Sequence, residues 1–320
     1  MERGDADWLR VAALLEEAAA LIRELAGAPA AGDARAVPGR LVPTAPPATP
    51  STFVARGDAE RILRKVEEAG FRVKGVNDGG DDPALTQLAR LIANKYPQVM
   101  PFIDELKRAQ SSREMIHIDL RSCEARQISD ITLLADLAHK AELLPAFRYR
   151  KSPVRELCCA PPVHPRAISF FTGEWLEIYA QSVLASCQHL ARGPIPCLRR
   201  VQVSFPEGDD FELDLVALVN DRLVWVEAKT THGFVRRLST LRRASTYLCA
   251  QSEDAILLCA REDAARFESA VALQARMVLC TLDSLPGHLR TRIQAISNAS
   301  GEAPGETGNE PPEPAEDSES

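Results

Sequence analysis

The sequence has no apolar run near the length of about 20 residues that a helix needs to span a bilayer. It also opens with no charged, apolar and small-residue leader pattern. With 45% hydrophobic residues, the expectation is a soluble cytoplasmic protein with no membrane partner. No Gly-x-x-x-x-Gly-Lys phosphate loop, Gly-x-Gly-x-x-Gly fingerprint or Gly-x-Ser-x-Gly elbow is present, which removes the commonest nucleotide-binding and serine-hydrolase chemistries. None of the eight cysteines forms a Cys-x-x-Cys pair. Cys158 and Cys159 with His164 are too compact and too sparse a set for a structural zinc site, and Cys187, Cys259 and Cys280 sit in apolar runs as reduced core residues. No internal repeat is visible.

The chain carries a net charge of −7, but Gly301–Ser320 contains seven acidic and no basic residues, so the remainder balances to zero. That tail, counted from 293, has too little apolar content to order itself. At the other end, Trp8, Val11, Leu15, Ala18, Ile22 and Leu25 form an apolar stripe on a helix over 6–26. A Pro/Ala-rich linker at 27–52 isolates the segment 1–26. An amphipathic helix on a tether needs a partner: a second copy of the chain, another protein, or its own domain. Residues 53–144 read as mainly helical, at Ala59–Ala69, Leu85–Lys95, Phe102–Ala109 and about 129–143, with a short strand at Met115–Leu120. A helix followed by the ribbon of Phe147–Arg150 and Glu156–Cys159 resembles a winged-helix element that grips duplex DNA, against the plainer reading of a packing subdomain.

The chemistry concentrates further on. Phe211 to Lys229 alternates as two strands joined by Asn220 and Asp221. Leu213, Leu215, Ala217 and Val219 share one face of the first strand, opposed by Glu212, Asp214, Val216 and Leu218. In the second strand Leu223, Trp225, Glu227 and Lys229 share a face. Pairing Val219 with Arg222 places Asp214 across from Glu227, and Glu212 across from Lys229. Two opposed carboxylates repel by roughly 0.2–1 kcal/mol in an ordinary sheet, so a cation belongs between them, and a hard divalent ion such as Mg2+ or Mn2+ suits the donors. Upstream, Trp175, Leu176, Tyr179, Val183, Leu184 and Cys187 form one helical arc. Glu177 lies at its edge, aimed at the seam between helix and sheet. Glu174 lies further toward solvent, favoured by the helix dipole.

The order Gly173-x-Trp175-Leu176-Glu177, then Asp214, then Glu227-x-Lys229-Thr230 resembles the PD-(D/E)xK nuclease superfamily. It is most similar to the nuclease half of CRISPR-associated CARF-domain nucleases, over about residues 145–290. The resemblance implies that Asp214 and Glu227 bind the metal with the Ala228 backbone carbonyl, that Lys229 assists catalysis, and that Glu177 completes the site. It also implies a role in defence against foreign nucleic acid. The superfamily's proline is replaced by Leu213, and the N-terminal half has none of the strand–helix repeats of a Rossmann-like sensor, so activation by a cyclic oligonucleotide is not implied.

The fold expected is α/β: a restriction-endonuclease-like mixed sheet flanked by helices at 145–292, behind a mainly helical N-terminal region. Its further parts are a strand at Cys197–Phe205, helices at about 236–250 and 262–276, and strands at Ala255–Ala260 and Met277–Thr281. Arg236, Arg237, Arg242 and Arg243 follow the site and suit phosphate contacts. Arg148, Arg150, Lys151, Arg155, Arg199 and Arg200 form further basic groups, and His232 is a lone loop histidine. These features describe a metal-dependent nuclease acting on DNA or RNA, or a nucleic-acid-binding or assembly module on the same fold.

Overall fold

The computed structural model describes residues 56–299 apart from 78–81, 153, 231–236, 261–271 and 273. The expected helix at 6–26, the linker, the tail beyond 299, His232, Arg236 and most of the helix expected at 262–276 lie outside the described residues. Among the described residues no helix is long and apolar enough to cross a membrane.

Helix α1 (Arg56–Glu68) buries Ile62 and Val66. It ends at Gly70, whose φ of +100° supplies the left-handed step a helix terminus wants, and the Gly70 and Phe71 amides bond back to Glu67 and Val66. Strand β1 (Arg72–Val76) follows directly. Helix α2 (Pro83–Asn94) is capped by Asp82, whose carboxylate accepts from the Ala84 and Leu85 amides, with proline at the first helical position. Helices α3 (Tyr96–Ser112) and α4 (Ala125–Lys140) flank β2 (Ile116–Asp119), and β3 (Phe147–Arg150) and β4 (Glu156–Cys159) follow. A short α5 (Pro165–Ser169) runs through a π-helical turn at Phe170–Glu174 into α6 (Trp175–Ser186). The remaining elements are β5 (Cys197–Ser204), β6 (Asp210–Val219), β7 (Arg222–Lys229), α7 (Leu238–Leu248), β8 (Ala255–Cys259), β9 (Val278–Thr281) and α8 (Leu285–Ala299).

Six strands form a mixed sheet in the order β1-β5-β6-β7-β8-β9, antiparallel from β1 to β7 and parallel from β7 to β9. This is the α/β architecture expected, with helices on both faces. One face carries Leu215, Ala217, Val219, Val224 and Val226 into a core shared with α2, α3, α4, α6 and α8. The other carries Val201, Val203, Val216, Leu218, Leu223 and Trp225 against α1 and α7. A second sheet, β2-β4-β3, is antiparallel and turns Ile116, Leu157 and Cys159 into the first core. The expected two-stranded ribbon thus has a third strand, and its inner face packs rather than standing free.

Three expectations are corrected. Strand β1 falls in a stretch that reads as helical and connecting sequence, because its five residues Arg-Val-Lys-Gly-Val carry only two apolar side chains larger than glycine. Residues 293–299, expected in the acidic tail, form the last turns of α8, because Ile293 and Ile296 are buried in the core. Leu213 packs with Val216 and Leu218 rather than with Leu215, Ala217 and Val219. The alternation slips there because Arg200, which would pair with Asp214, adopts a φ of +51° and interrupts the β5–β6 ladder between Arg199 and Val201.

Candidate metal and catalytic site

The β6–β7 hairpin turns through Asn220 and Asp221, whose φ values of +44° and +65° both fall in the left-handed region of a type I′ turn. That turn pins the register: Val219 pairs with Arg222 and the ladder continues to Leu215 with Val226. Asp214 and Glu227 would come next. There the ladder gives way to a side chain, because the Asp214 carboxylate accepts the Ala228 amide at 2.8 Å. Within a strand, a residue's N–H and C=O point the same way, so the Ala228 carbonyl faces the same side as Asp214.

Lys229 bridges the two acids. Its Nζ lies 2.6 Å from Glu227 Oε1 and 3.3 Å from Asp214 Oδ2, and all three side chains are largely buried. Burial opposes the charge on Lys229, yet the Glu227 and Asp214 carboxylates outweigh it and hold the ammonium protonated. Burial, followed by the charge of Asp214, drives the Glu227 carboxyl upward against the pull of Lys229. Among the described residues Glu227 Oε2 is buried with no hydrogen-bond partner, an expensive arrangement for an anion unless a cation completes it.

Glu177 faces this cluster from α6. Burial first, and Asp214 second, raise its carboxyl to about 7 against the pull of Arg200 and Arg199. Arg200 Nε donates to Glu177 Oε2 at 3.0 Å, while its Nη2 donates to Ser169 Oγ at 3.0 Å and lies 3.4 Å from Glu174. Arg199 lies 3.6 Å from the same Glu174. Consecutive strand residues reaching one carboxylate is possible only because of the left-handed step at Arg200, a conformation that costs of order 1–3 kcal/mol and clusters at functional sites. Half-buried Glu212, raised by burial and then by Asp214, lies at the edge of the group.

Several sequence expectations need revision here. Glu174 does not face solvent. It is buried against Arg199 and Arg200, because the π-helical turn at Phe170–Glu174 resets the helical phase and α6 is enclosed on all sides. The same turn leaves the Thr172 carbonyl to accept the Thr230 hydroxyl at 2.9 Å, tying α6 to the end of β7. Arg199 and Arg200 are interior ion-pair partners, not surface phosphate contacts. Arg243 is also engaged, 3.7 Å over the Phe205 ring and 2.7 Å from Asp209. Arg237 and Arg242 are exposed at the start of α7 and along it. His164 caps α5, accepting the Arg166 amide, and takes no part with the cysteines. Arg200 is the residue of this cluster that sequence reasoning misplaces; the adjacent Arg199-Arg200 pair inside an alternating strand is its signal.

No protein-family model matches the chain, and no curated protein matches it. Among solved structures it is similar to protein VC1899 from Vibrio cholerae, at 20% identity over 75% of this chain and 62% of that one, with a TM-score of 0.46. It is also similar to Can2 from Sulfobacillus thermosulfidooxidans, solved in complex with cyclic tetra-adenylate, at 16% identity over 73% and 60% of the two chains, with a TM-score of 0.49. The chain spans about three-fifths of the length of these two structures. Likeness at this level carries no argument about chemistry, which rests on the side chains gathered around Lys229.

Proposed function

We propose that the protein is a divalent-metal-dependent nuclease that hydrolyses phosphodiester bonds in DNA or RNA. The observation that carries this reading is one buried ammonium bridging Asp214 and Glu227 at the end of a buried hairpin, beside a Glu227 Oε2 that has no hydrogen-bond partner among the described residues. Asp214, Glu227 and the Ala228 carbonyl would hold Mg2+ or Mn2+, with Glu177 in support. The donors fit, being hard oxygens with excess negative charge and one oxygen without a hydrogen-bond partner among the described residues. Bound there, the ion would supply charge neutralisation at the phosphate and activation of the attacking water.

The side chains of the protein do the rest. Lys229, kept cationic by its two carboxylates, orients the attacking water and donates toward the charge developing on phosphorus-bound oxygen. Glu177, titrating near 7, is poised to take or hold a proton at neutral pH. Arg200 fixes the orientation of that carboxylate. Arg237 and Arg242, exposed on and before α7, would contact phosphates along the nucleic acid, and Arg236 belongs to the same proposed interface.

A second reading has one observation in its favour: Lys229 and Arg200 already neutralise the carboxylates, as they would in a nucleic-acid-binding or assembly module on this fold. The test is cleavage of labelled single- and double-stranded DNA and RNA in Mg2+, Mn2+ or EDTA. Cleavage should need metal and fall by about 10²–10³ in Lys229→Ala, the scale of losing one donor to developing charge. Binding without cleavage in both proteins would sink the nuclease and leave the binding module.

A further inference from the structure

On the outer face of the small sheet, far along the chain from Asp214, three different donor types converge. His117 on β2 pairs directly with Cys158 on β4, and Glu156 stands two residues before Cys158, hence on the same face. His117 Nδ1 lies 3.1 Å from Glu156 Oε1 and 3.4 Å from Cys158 Sγ. One ligand atom from each of the three lies within 4.8 Å of the others, and among the described residues this is the one such group of three. Cys158 belongs to neither apolar core, whereas Cys159 beside it is core. The thiol is buried at the floor of the group and the imidazole forms its exposed rim.

We propose that His117, Glu156 and Cys158 form a second metal site, selective for Zn2+ or a similar borderline ion over Mg2+. Thiolate and imidazole donors suit zinc and disfavour hard cations. The set fits the charge as well: a thiolate and a carboxylate match a divalent ion, and neutral imidazole completes three ligands. A single nitrogen, Nδ1, faces both the thiol and the carboxylate, which suits convergence on one ion rather than a relay from nucleophile through ring to acid. Glu156 is held from behind, its Oε2 lying 3.7 Å from Arg150 on β3. Three protein ligands leave the fourth position for water or an external ligand on the solvent side.

The test uses the full-length chain, stripped with a chelator and titrated with Co2+ and then Zn2+. One equivalent of Co2+ should give a thiolate-to-cobalt charge-transfer absorption that Zn2+ bleaches. The band should vanish in Cys158→Ser and persist in Cys159→Ser and in Asp214→Asn, which separates this site from the proposed nuclease centre. Because Cys158→Ser changes a buried group, His117→Ala gives a surface control that should weaken Zn2+ binding by more than the roughly 10- to 100-fold lost with an outer partner. No thiolate band in the wild type, or an undiminished band in Cys158→Ser, would overturn the assignment.

Discussion

Replacing Glu177 with glutamine should stabilise the metal-free protein at pH 8 and leave it nearly unchanged at pH 4. Burial and the neighbouring Asp214 raise this carboxyl from an ordinary 4.5 to about 7. The folded state therefore holds its proton over a range where the unfolded chain has released it. The stability tied to this group is complete below about pH 4.5 and is lost as pH rises through about 7. At roughly 1.4 kcal/mol per pKa unit the loss comes to about 3 kcal/mol. Glutamine keeps the shape and an oxygen for Arg200 but has no charge to desolvate, and Arg200 retains Glu174 as its partner. Urea denaturation in EDTA at several values between pH 4 and 8 measures both proteins. The two stability curves should meet at low pH and separate by about 3 kcal/mol at pH 8. Parallel curves, or a variant less stable at pH 8, would refute the argument that the wild-type carboxylate is held at a cost.

Three further outcomes follow from other parts of the structure. Wild-type protein should gain about 2.7 kcal/mol of stability from Mg2+ or Mn2+ at a hundred times Kd, and Asp214→Asn should abolish the matching rise in melting temperature. Asp254 is fully buried between Arg222 and Arg292, so Arg222→Met leaves a half-compensated buried charge and should cost about 3–5 kcal/mol in urea denaturation. Changing Arg237 and Arg242 together to alanine should weaken binding to all sequences alike and flatten the salt dependence, by about 0.9 in log–log slope for each duplex phosphate left without its arginine. An unchanged slope would remove α7 from the proposed interface.

The hairpin is legible in the sequence because its two constraints are local. Alternation sets the faces and a two-residue turn sets the register, and Val219 with Arg222 through Leu215 with Val226 pair as counted. The parallel strands β8 and β9 are equally readable as short apolar runs between helical segments. What fails depends on partners elsewhere in the chain. The phase slip at Leu213 answers to the backbone of Arg200 on the next strand. The burial of Glu174 answers to a π-helical turn, which no 100° periodicity describes. Spacing along the chain sets Cys158 beside His164, six residues away, whereas its histidine is His117 on the neighbouring strand. Pairing across a sheet brings together residues that the linear order keeps apart.

The first described strand, β1, lies at the edge of the large sheet and finds its partner in β5. At a synthesis rate of about 5–20 residues per second, β1 emerges on the order of ten seconds before β5 has been made. Through that interval α1 presents Ile62 and Val66, and β1 presents unpaired backbone, before the strands that cover both in the folded chain have been made. The closing of this edge is a late, long-range event in folding, and slower translation lengthens the time in which the nascent chain can pair with the wrong neighbour.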